Sequence, residues 1–196
     1  MLKKSLIYFL FFIILILMVV FHFSHDPEFT FIHLAIHLPA ILGVTSIFFA
    51  ILIPLLKNRI SLTKPSSINS LHHLFSYMGW FSVFAHMVFL YIWLKKYTLY
   101  VPSFVSWQAI LMKSGPIAVI LIILGGIGLF FIKQWRTFQI IHAINILAFI
   151  WISVHGIVKD NVLHANIPHF FLLISMDFVI VAILIANACM SKKKVS

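Results

Sequence analysis

The chain has 196 residues, of which 63% are hydrophobic and only 9% are charged, and it contains 21 phenylalanines and one cysteine. A soluble domain carries about 25% charged residues, so this composition excludes a water-soluble globular protein, and the cysteine count excludes a disulfide scaffold. The formal net charge is +10, but no basic patch alternates with aromatic residues on a polar face, so we predict an integral membrane protein that binds no nucleic acid.

A helix that crosses a bilayer needs about 20 mostly apolar residues. Five stretches without Asp, Glu, Lys or Arg are long enough, and a sixth is interrupted only by Asp177. We therefore predict an all-α, six-helix transmembrane bundle that forms one domain over residues 1–196. Its spans are predicted at 6–23, 37–56, 71–94, 115–132, 137–158 and 168–190.

The first span follows two lysines and therefore resembles a signal peptide. Its apolar run from Leu6 to Phe23 is 18 residues long, and the sequence FHFSH at its end lacks the small residues of a cleavage site. We expect an uncleaved first helix.

The basic residues predict the orientation in the lipid bilayer. With the N-terminus inside, ten basic residues lie on the inner side and four on the outer side. Because Lys and Arg favour the cytoplasmic side, we predict a multi-pass protein of the cell membrane with both termini in the cytoplasm. The four outer basic residues are Lys95, Lys96, Lys113 and Lys159.

The histidines carry the candidate chemistry, because ionisable side chains inside a bilayer are costly and are often functional. His72 and His86 in the third span are 14 residues apart, and His142 and His155 in the fifth span are 13 apart. At about 1.5 Å per residue, both separations are about 20 Å and fit within a hydrocarbon core of about 30 Å. If the two spans pack side by side, one histidine from each can ligate a b-type haem near each face, which gives one or two haems.

His73 is the alternative ligand to His72. At about 100° per residue, 14 residues return to within about 40° of the starting direction, so His72 and His86 share a helix face. On the fifth span, 13 residues leave about 140° between the two rings, which requires a bend or a π-bulge. Between the two histidines of the third span, the residues on their shared face are small enough that we expect them to leave room for a porphyrin: Ser76, Gly79 and Val83.

A different interpretation is that the four histidines are core residues bonded across helices to Ser, Thr or Asn. Two matched pairs at nearly equal spacing favour the haem interpretation.

At these residues the chain resembles the ferric-reductase-like transmembrane domain family. It resembles the stand-alone bacterial haem b subunits, such as the haem-binding subunit of the periplasmic methionine sulfoxide reductase system. The resemblance covers residues 40–190 and rests on both histidine pairs and on the stretch WRTFQIIHAINILAFIWISVHG. It implies four axial haem ligands: His72, His86, His142 and His155.

The resemblance also implies a function, which is electron transfer across the membrane as a component of an oxidoreductase. The implied donor is a separate cytoplasmic reductase or membrane quinol, and the implied acceptor is an outer ferric or cupric ion or a periplasmic redox partner. Larger family members continue into a flavin- and nicotinamide-binding domain. This chain has no Gly-rich phosphate loop, so we expect no FAD or NAD site in it.

Two charged residues lie at informative places in the predicted spans. Arg136, at the inner end of the fifth span, is a candidate partner for a haem propionate, although the preference of basic residues for the cytoplasmic side also explains its position. Asp177 lies in the middle of the sixth span, where it could relay protons or bind a quinone head, or be a neutral buried acid bonded to a neighbour.

Further histidines gather on the predicted outer side: His22, His25, His33, His37, His164 and His169. His33 and His37 are four residues apart on one helix face, a spacing that can chelate ferric or cupric ions. We prefer an interfacial cluster bonded to lipid headgroups and water, because such pairs arise by chance in histidine-rich segments.

The alternative function is a histidine-lined metal-ion transporter or permease, and a third is a structural subunit that anchors a partner. Transport would be favoured by paired helix breaks at the midplane, which Pro54 and the Gly125-Gly126 pair do not form. No Ser-His-Asp grouping or CxxC motif supports hydrolase or thiol-redox chemistry.

Overall fold

The computed structural model describes residues 4–24, 30–56, 65–96, 121–122, 124, 135–164 and 167–192. In this part of the chain the structure is helical, with helices α1 (Lys4–Phe23), α2 (Phe31–Leu56), α3 (Pro65–Lys96), α4 (Trp135–His164) and α5 (Ile167–Lys192). These five correspond to the first, second, third, fifth and sixth predicted spans, and they confirm the all-α class. Of the predicted span 115–132, residues 121, 122 and 124 are helical and the others lie outside the described residues.

The observed helices are longer than the predicted spans, by six residues at the starts of α2 and α3 and at the end of α4. Helix α2 begins at Phe31. The Thr30 side chain accepts a hydrogen bond from the backbone N–H of His33 at 3.2 Å, and the Thr30 carbonyl accepts one from the backbone N–H of Leu34 at 3.0 Å. Threonine in this position is an N-cap, and its effect is to bring His33 onto the same helix as His37.

Three of the described helices are long and apolar enough to cross a membrane: Lys4–Phe23, Phe31–Leu56 and Asn69–Ile92. The remaining two helices contribute shorter apolar segments, Ala143–His155 and Phe171–Ala186, within the described residues. The chain therefore has the helices of a membrane protein, and a lipid bilayer is the environment that fits their apolar surfaces.

Helix α2 lies at the centre of the described structure, and about half of its strongly apolar stretch is buried. It contacts α1, α3, α4 and α5, and its contact with α3 is by far the most extensive between any two described helices. Helix α4 packs mainly on α5. Within the described residues, the extensive contacts of α3 are with α2, and the expected side-by-side packing of the third and fifth predicted spans is not found among them.

An aromatic cluster joins the start of α1, the end of α2 and the start of α3. The Phe75 ring centroid lies 4.9 Å from that of Phe11 and 5.5 Å from that of Phe49, and the Phe11 and Phe49 centroids are 5.5 Å apart. All three side chains are buried. Because each ring comes from a different helix, this cluster holds the three helices together at one end of the molecule.

Candidate functional site

Both histidines of α3 are hydrogen-bonded to the backbone of α2. His72 Nδ1 lies 2.7 Å from the carbonyl oxygen of Ala50, and His86 Nδ1 lies 2.8 Å from the carbonyl oxygen of Ile36. A carbonyl oxygen can only accept a hydrogen bond, so each Nδ1 carries the proton and donates it. In a neutral imidazole with its proton on Nδ1, the lone pair of the ring is on Nε2.

The two hydrogen bonds follow from a single antiparallel register of α2 and α3. Ile36 and Ala50 are 14 residues apart, as are His72 and His86. Gly43 and Gly79 lie midway, each seven residues from both members of its pair. At about 1.5 Å per residue, the two imidazoles are about 21 Å apart along α3.

The glycines at the midpoint allow the close approach of the two helices. A Cβ at Gly79 would lie 2.6 Å from Ile47 Cγ1 and 3.2 Å from the Ile47 nitrogen. A Cβ at Gly43 would lie 2.9 Å from Val83 Cγ2. Small residues commonly serve this purpose where membrane helices cross.

The expectation that Gly79 and Val83 leave room for a porphyrin is therefore wrong. Both residues lie against α2, and Ser76 donates a hydrogen bond to the carbonyl oxygen of His72 in its own helix at 2.7 Å. The small residues on this face allow a neighbouring helix to approach it.

His73 lies on a different face of α3. Its side chain is exposed, and its ring stacks on the exposed ring of Tyr77, with 6.3 Å between the centroids and 25° between the planes. The ring of His72 is half-buried and held by α2. Of the two neighbouring histidines, His72 has the partner and the burial expected of an oriented ligand.

The residues of the fifth predicted span lie on α4. His155 is half-buried, and the buried Ser153 precedes it by two residues. The side chains of His142 and Arg136 lie outside the described residues, although both residues are in the helix. The facing histidine pairs and the propionate role of Arg136 therefore stay predictions.

Three helices contribute imidazoles to one end of the molecule. The ring of His37 on α2 lies 4.7 Å from that of His22 on α1, 4.6 Å from that of His33 and 6.5 Å from that of His86 on α3, measured between centroids. His37 is the most deeply buried of the four, with 8% of its surface exposed. We call these four residues the imidazole cluster.

The imidazole cluster contains the predicted outer pair, His33 and His37. Their rings are close to perpendicular, with 80° between the planes. In the described part of the chain, no group of three or more His, Cys, Asp or Glu side chains could hold a metal ion. A metal site at this pair stays a prediction. His25 lies outside the described residues, as do the side chains of His164 and His169.

Asp177 lies beside Ser153 at the α4–α5 interface. The Ser153 hydroxyl donates a hydrogen bond to the carbonyl oxygen of Phe149 in its own helix at 3.3 Å. The Oδ1 atom of Asp177 is buried without a hydrogen-bond partner. The roles considered for Asp177, as a proton relay, a quinone ligand or a neutral acid bonded to a neighbour, stay predictions.

Two features of the site were not predicted from the sequence: the backbone acceptors on α2 and the contact of His37 with His86. A sequence signal existed for one of them, because Pro54 follows Ala50 by four residues and removes the helical donor to its carbonyl. No sequence signal marks the imidazole cluster, since it depends on how three helices are aligned.

No family model matches the chain, and no curated protein and no solved structure shows a significant similarity to it. The resemblance to the ferric-reductase-like family stays a prediction from the histidine pattern.

Proposed function

We propose that the protein is an integral membrane haem b protein that carries electrons across the membrane. In this proposal six helices span the cell membrane with both termini in the cytoplasm, and the histidine pairs of α3 and α4 hold one or two haems. One observation carries the proposal. His72 and His86 are each held through Nδ1 by a backbone carbonyl, about 21 Å apart on the same helix.

The chemistry of the two side chains fits a haem iron. A metal-ligating histidine usually donates its second ring N–H to a carbonyl or carboxylate, which sets the tautomer and the ring orientation and makes the ligating nitrogen more basic. His72 and His86 have this hydrogen bond, and both are half-buried. Histidine is also the axial ligand of many haem proteins.

The proposed ligands on the opposite side are His142 and His155 of α4. A haem between α3 and α4 keeps the two backbones further apart than direct helix packing, for which axes lie about 8–10 Å apart. This geometry is compatible with the extensive contacts of α3 being with α2. Arg136, near the start of α4, is the proposed partner of a propionate.

Haem supplies the one-electron chemistry when it is bound, and the protein contributes position and environment. Helix α2 orients the imidazoles of His72 and His86 from one side. The aromatic cluster of Phe11, Phe49 and Phe75 keeps water from the His72 end. The electron donor is a separate cytoplasmic reductase or a membrane quinol, and the acceptor is an outer ferric or cupric ion or a redox protein.

The absorption spectrum of the purified protein tests this proposal. We expect a red protein whose reduced form shows the bands of a haem with two imidazole ligands. His86→Ala and His155→Ala should each remove one haem and leave the other, so the haem content falls to about half. His73→Ala is the matched control, because this histidine is exposed next to a proposed ligand and should leave the spectrum unchanged.

Two results would contradict the proposal. One is a colourless protein from cells that are well supplied with iron. The other is an unchanged haem content in both His86→Ala and His155→Ala. If the colourless protein binds zinc or copper ions at the imidazole cluster, the metal-ion transporter becomes the better explanation.

A further inference from the structure

Helix α2 contains two prolines, Pro39 and Pro54, and continues through both. Proline has no backbone N–H, so the carbonyl four residues earlier loses its helical hydrogen-bond donor. For Pro54 this carbonyl belongs to Ala50, and for Pro39 it belongs to Ala35.

The carbonyl released by Pro54 is the one that accepts the hydrogen bond from His72. The distance from His72 Nδ1 to the Ala50 oxygen is 2.7 Å. A backbone carbonyl inside an apolar helix bundle needs a donor, because a lipid environment offers no water to replace a missing one. The N–H of the His72 ring takes the place of the N–H that residue 54 lacks.

The hydrogen bond from His86 to the Ile36 carbonyl has a similar length, but its acceptor is not freed by a proline. The carbonyl of Ile36 lies three residues before Pro39, so its helical donor is the backbone N–H of Ala40, which is present. His86 Nδ1 lies 2.8 Å from this oxygen and uses its second lone pair. The residue four positions after Ile36 therefore has a backbone N–H to donate, whereas the residue four positions after Ala50 has none.

We infer that Pro54 is a positioning residue that sets the tautomer and orientation of His72 by freeing the Ala50 carbonyl for it. With Nδ1 protonated, His72 presents Nε2 as its lone-pair nitrogen. The effect on ligand strength rests on the proposed haem function, but the effect on the tautomer does not. His86, whose acceptor also has a backbone N–H four residues later in the helix, is held less firmly.

The test compares Pro54→Ala with Pro39→Ala as the matched control. Each substitution restores one N–H to α2 and removes one proline, but only residue 54 gives its N–H to the carbonyl that His72 uses. The full-length protein is labelled with ¹⁵N-histidine, placed in lipid nanodiscs at pH 8, reduced with dithionite and studied by NMR. The signals of both ring nitrogens are assigned with the variants His72→Ala and His86→Ala.

In the wild-type protein we expect the His72 proton on Nδ1, exchanging slowly with water. In Pro54→Ala this proton should exchange about 10-fold faster, because the new N–H of residue 54 competes for the Ala50 carbonyl. The backbone amide of residue 54 should become protected in the same variant. Pro39→Ala should change the exchange of the His86 proton by less than about 2-fold.

The retention of haem by each variant is a second and separate measurement. Disturbing a second-shell partner typically costs 10–100-fold in metal affinity, so Pro54→Ala should lose the haem at His72 about 10-fold more readily than the wild-type protein. Pro39→Ala should retain both haems. Pro54→Leu, with an apolar side chain of larger volume, should reproduce the NMR and haem results of Pro54→Ala if the missing N–H is the cause.

The two hypotheses can fail separately. A His72 proton that sits on Nε2 in the wild-type protein, or that exchanges equally in Pro54→Ala and Pro39→Ala, overturns the inference even when the protein is red. A colourless protein in which the His72 proton still responds to Pro54→Ala supports the inference and refutes the haem function.

Discussion

The two ends of the α2–α3 pair make the same hydrogen bond in different surroundings. At the His72 end, Phe75 is buried among rings from α1 and α2, and the ring of His73 lies 5.5 Å from that of His72. At the His86 end, the ring of His37 lies 6.5 Å from that of His86 and links it to the rest of the imidazole cluster. Gly43 and Gly79 lie between the two ends.

The orientation of the His72 and His86 rings and the environment of these rings are set by different parts of the molecule. Backbone carbonyls of α2 orient both rings, so the orientation depends on the helix register and not on nearby side chains. The side chains nearby differ, with the aromatic cluster near His72 and three further imidazoles at the His86 end. In the proposed haem protein, two haems with identical ligands would have different reduction potentials, because burial and polarity around the site tune the potential.

The largest loss of stability is expected from Phe75→Ala, which removes aromatic packing at the His72 end of the α2–α3 pair and leaves the His86 end unchanged. Its side chain is 1% exposed and contacts the rings of Phe11 and Phe49. Removing a buried Phe typically lowers the free energy of unfolding by about 3–5 kcal/mol. Denaturant unfolding in detergent measures this loss, and Phe81→Ala, at a side chain that is 75% exposed, is the control. Equal losses in both variants would show that the aromatic cluster is not the stabilising core.

Gly79→Ala disturbs both ends at once, because it pushes α2 and α3 apart at their midpoint. We expect a loss of about 3 kcal/mol in the free energy of unfolding, as for an overpacked core. Gly43→Ala should cost less, since the Cβ there would meet a Val83 methyl group at 2.9 Å, compared with 2.6 Å from Ile47 Cγ1 at Gly79. The same unfolding measurement ranks the two variants, and the reverse order would contradict the observed register.

His37→Ala acts on the His86 end alone. The ring of His37 contacts three other imidazoles, and its loss should lower the free energy of unfolding by about 2 kcal/mol. His33→Ala removes a less buried ring and should cost less than half as much.

In a haem-loaded protein, the absorption and EPR signals of one haem should shift in His37→Ala while those of the other stay constant. A shift in both haems would mean that the two ends are not independent.

The smallest effect is expected outside the α2–α3 pair. Ser153→Ala removes a buried hydroxyl group that lies beside Asp177 between α4 and α5 and donates a hydrogen bond to the Phe149 carbonyl, so it should cost about 1 kcal/mol. Ser175→Ala is the control, because that exposed hydroxyl is bonded only within its own helix, to the carbonyl of Phe171 at 2.7 Å. Thermal unfolding of the two variants side by side checks this, and an equal cost would show that the Asp177 contact contributes nothing.

Much of the helical architecture could be predicted from local sequence. The apolar stretches of α1 and α3 were located to within a few residues at most ends, because a charged or polar residue is costly inside a bilayer and marks where an apolar helix stops. The start of α2 was placed too late because Thr30, its N-cap, was not recognised. The pairing of helices could not be derived this way. Hydrophobicity indicates that a helix face is buried in lipid or protein, but it does not indicate which helix covers that face.

Only part of the candidate site could be predicted from the sequence. Helical periodicity placed His72 and His86 on one face of α3, which agrees with both rings bonding to α2. The small residues on that face were assigned to a cofactor because one helix alone does not reveal its neighbour. The approach of His37 to His86 depends on the packing of α2 against α3 and was not predicted.

The amino-acid sequence by itself determined that apolar helices dominate this chain, that α3 carries two histidines about 21 Å apart on one face, and that Pro54 leaves a carbonyl of α2 without its helical donor. These properties depend on residues that are close together in the chain. Only the tertiary structure decided that this carbonyl meets His72, that Gly43 and Gly79 meet midway, and that four imidazoles from three helices gather at one end. The reason is physical, since a helix sets the spacing along its own axis, whereas the register between helices comes from the fit of their side chains.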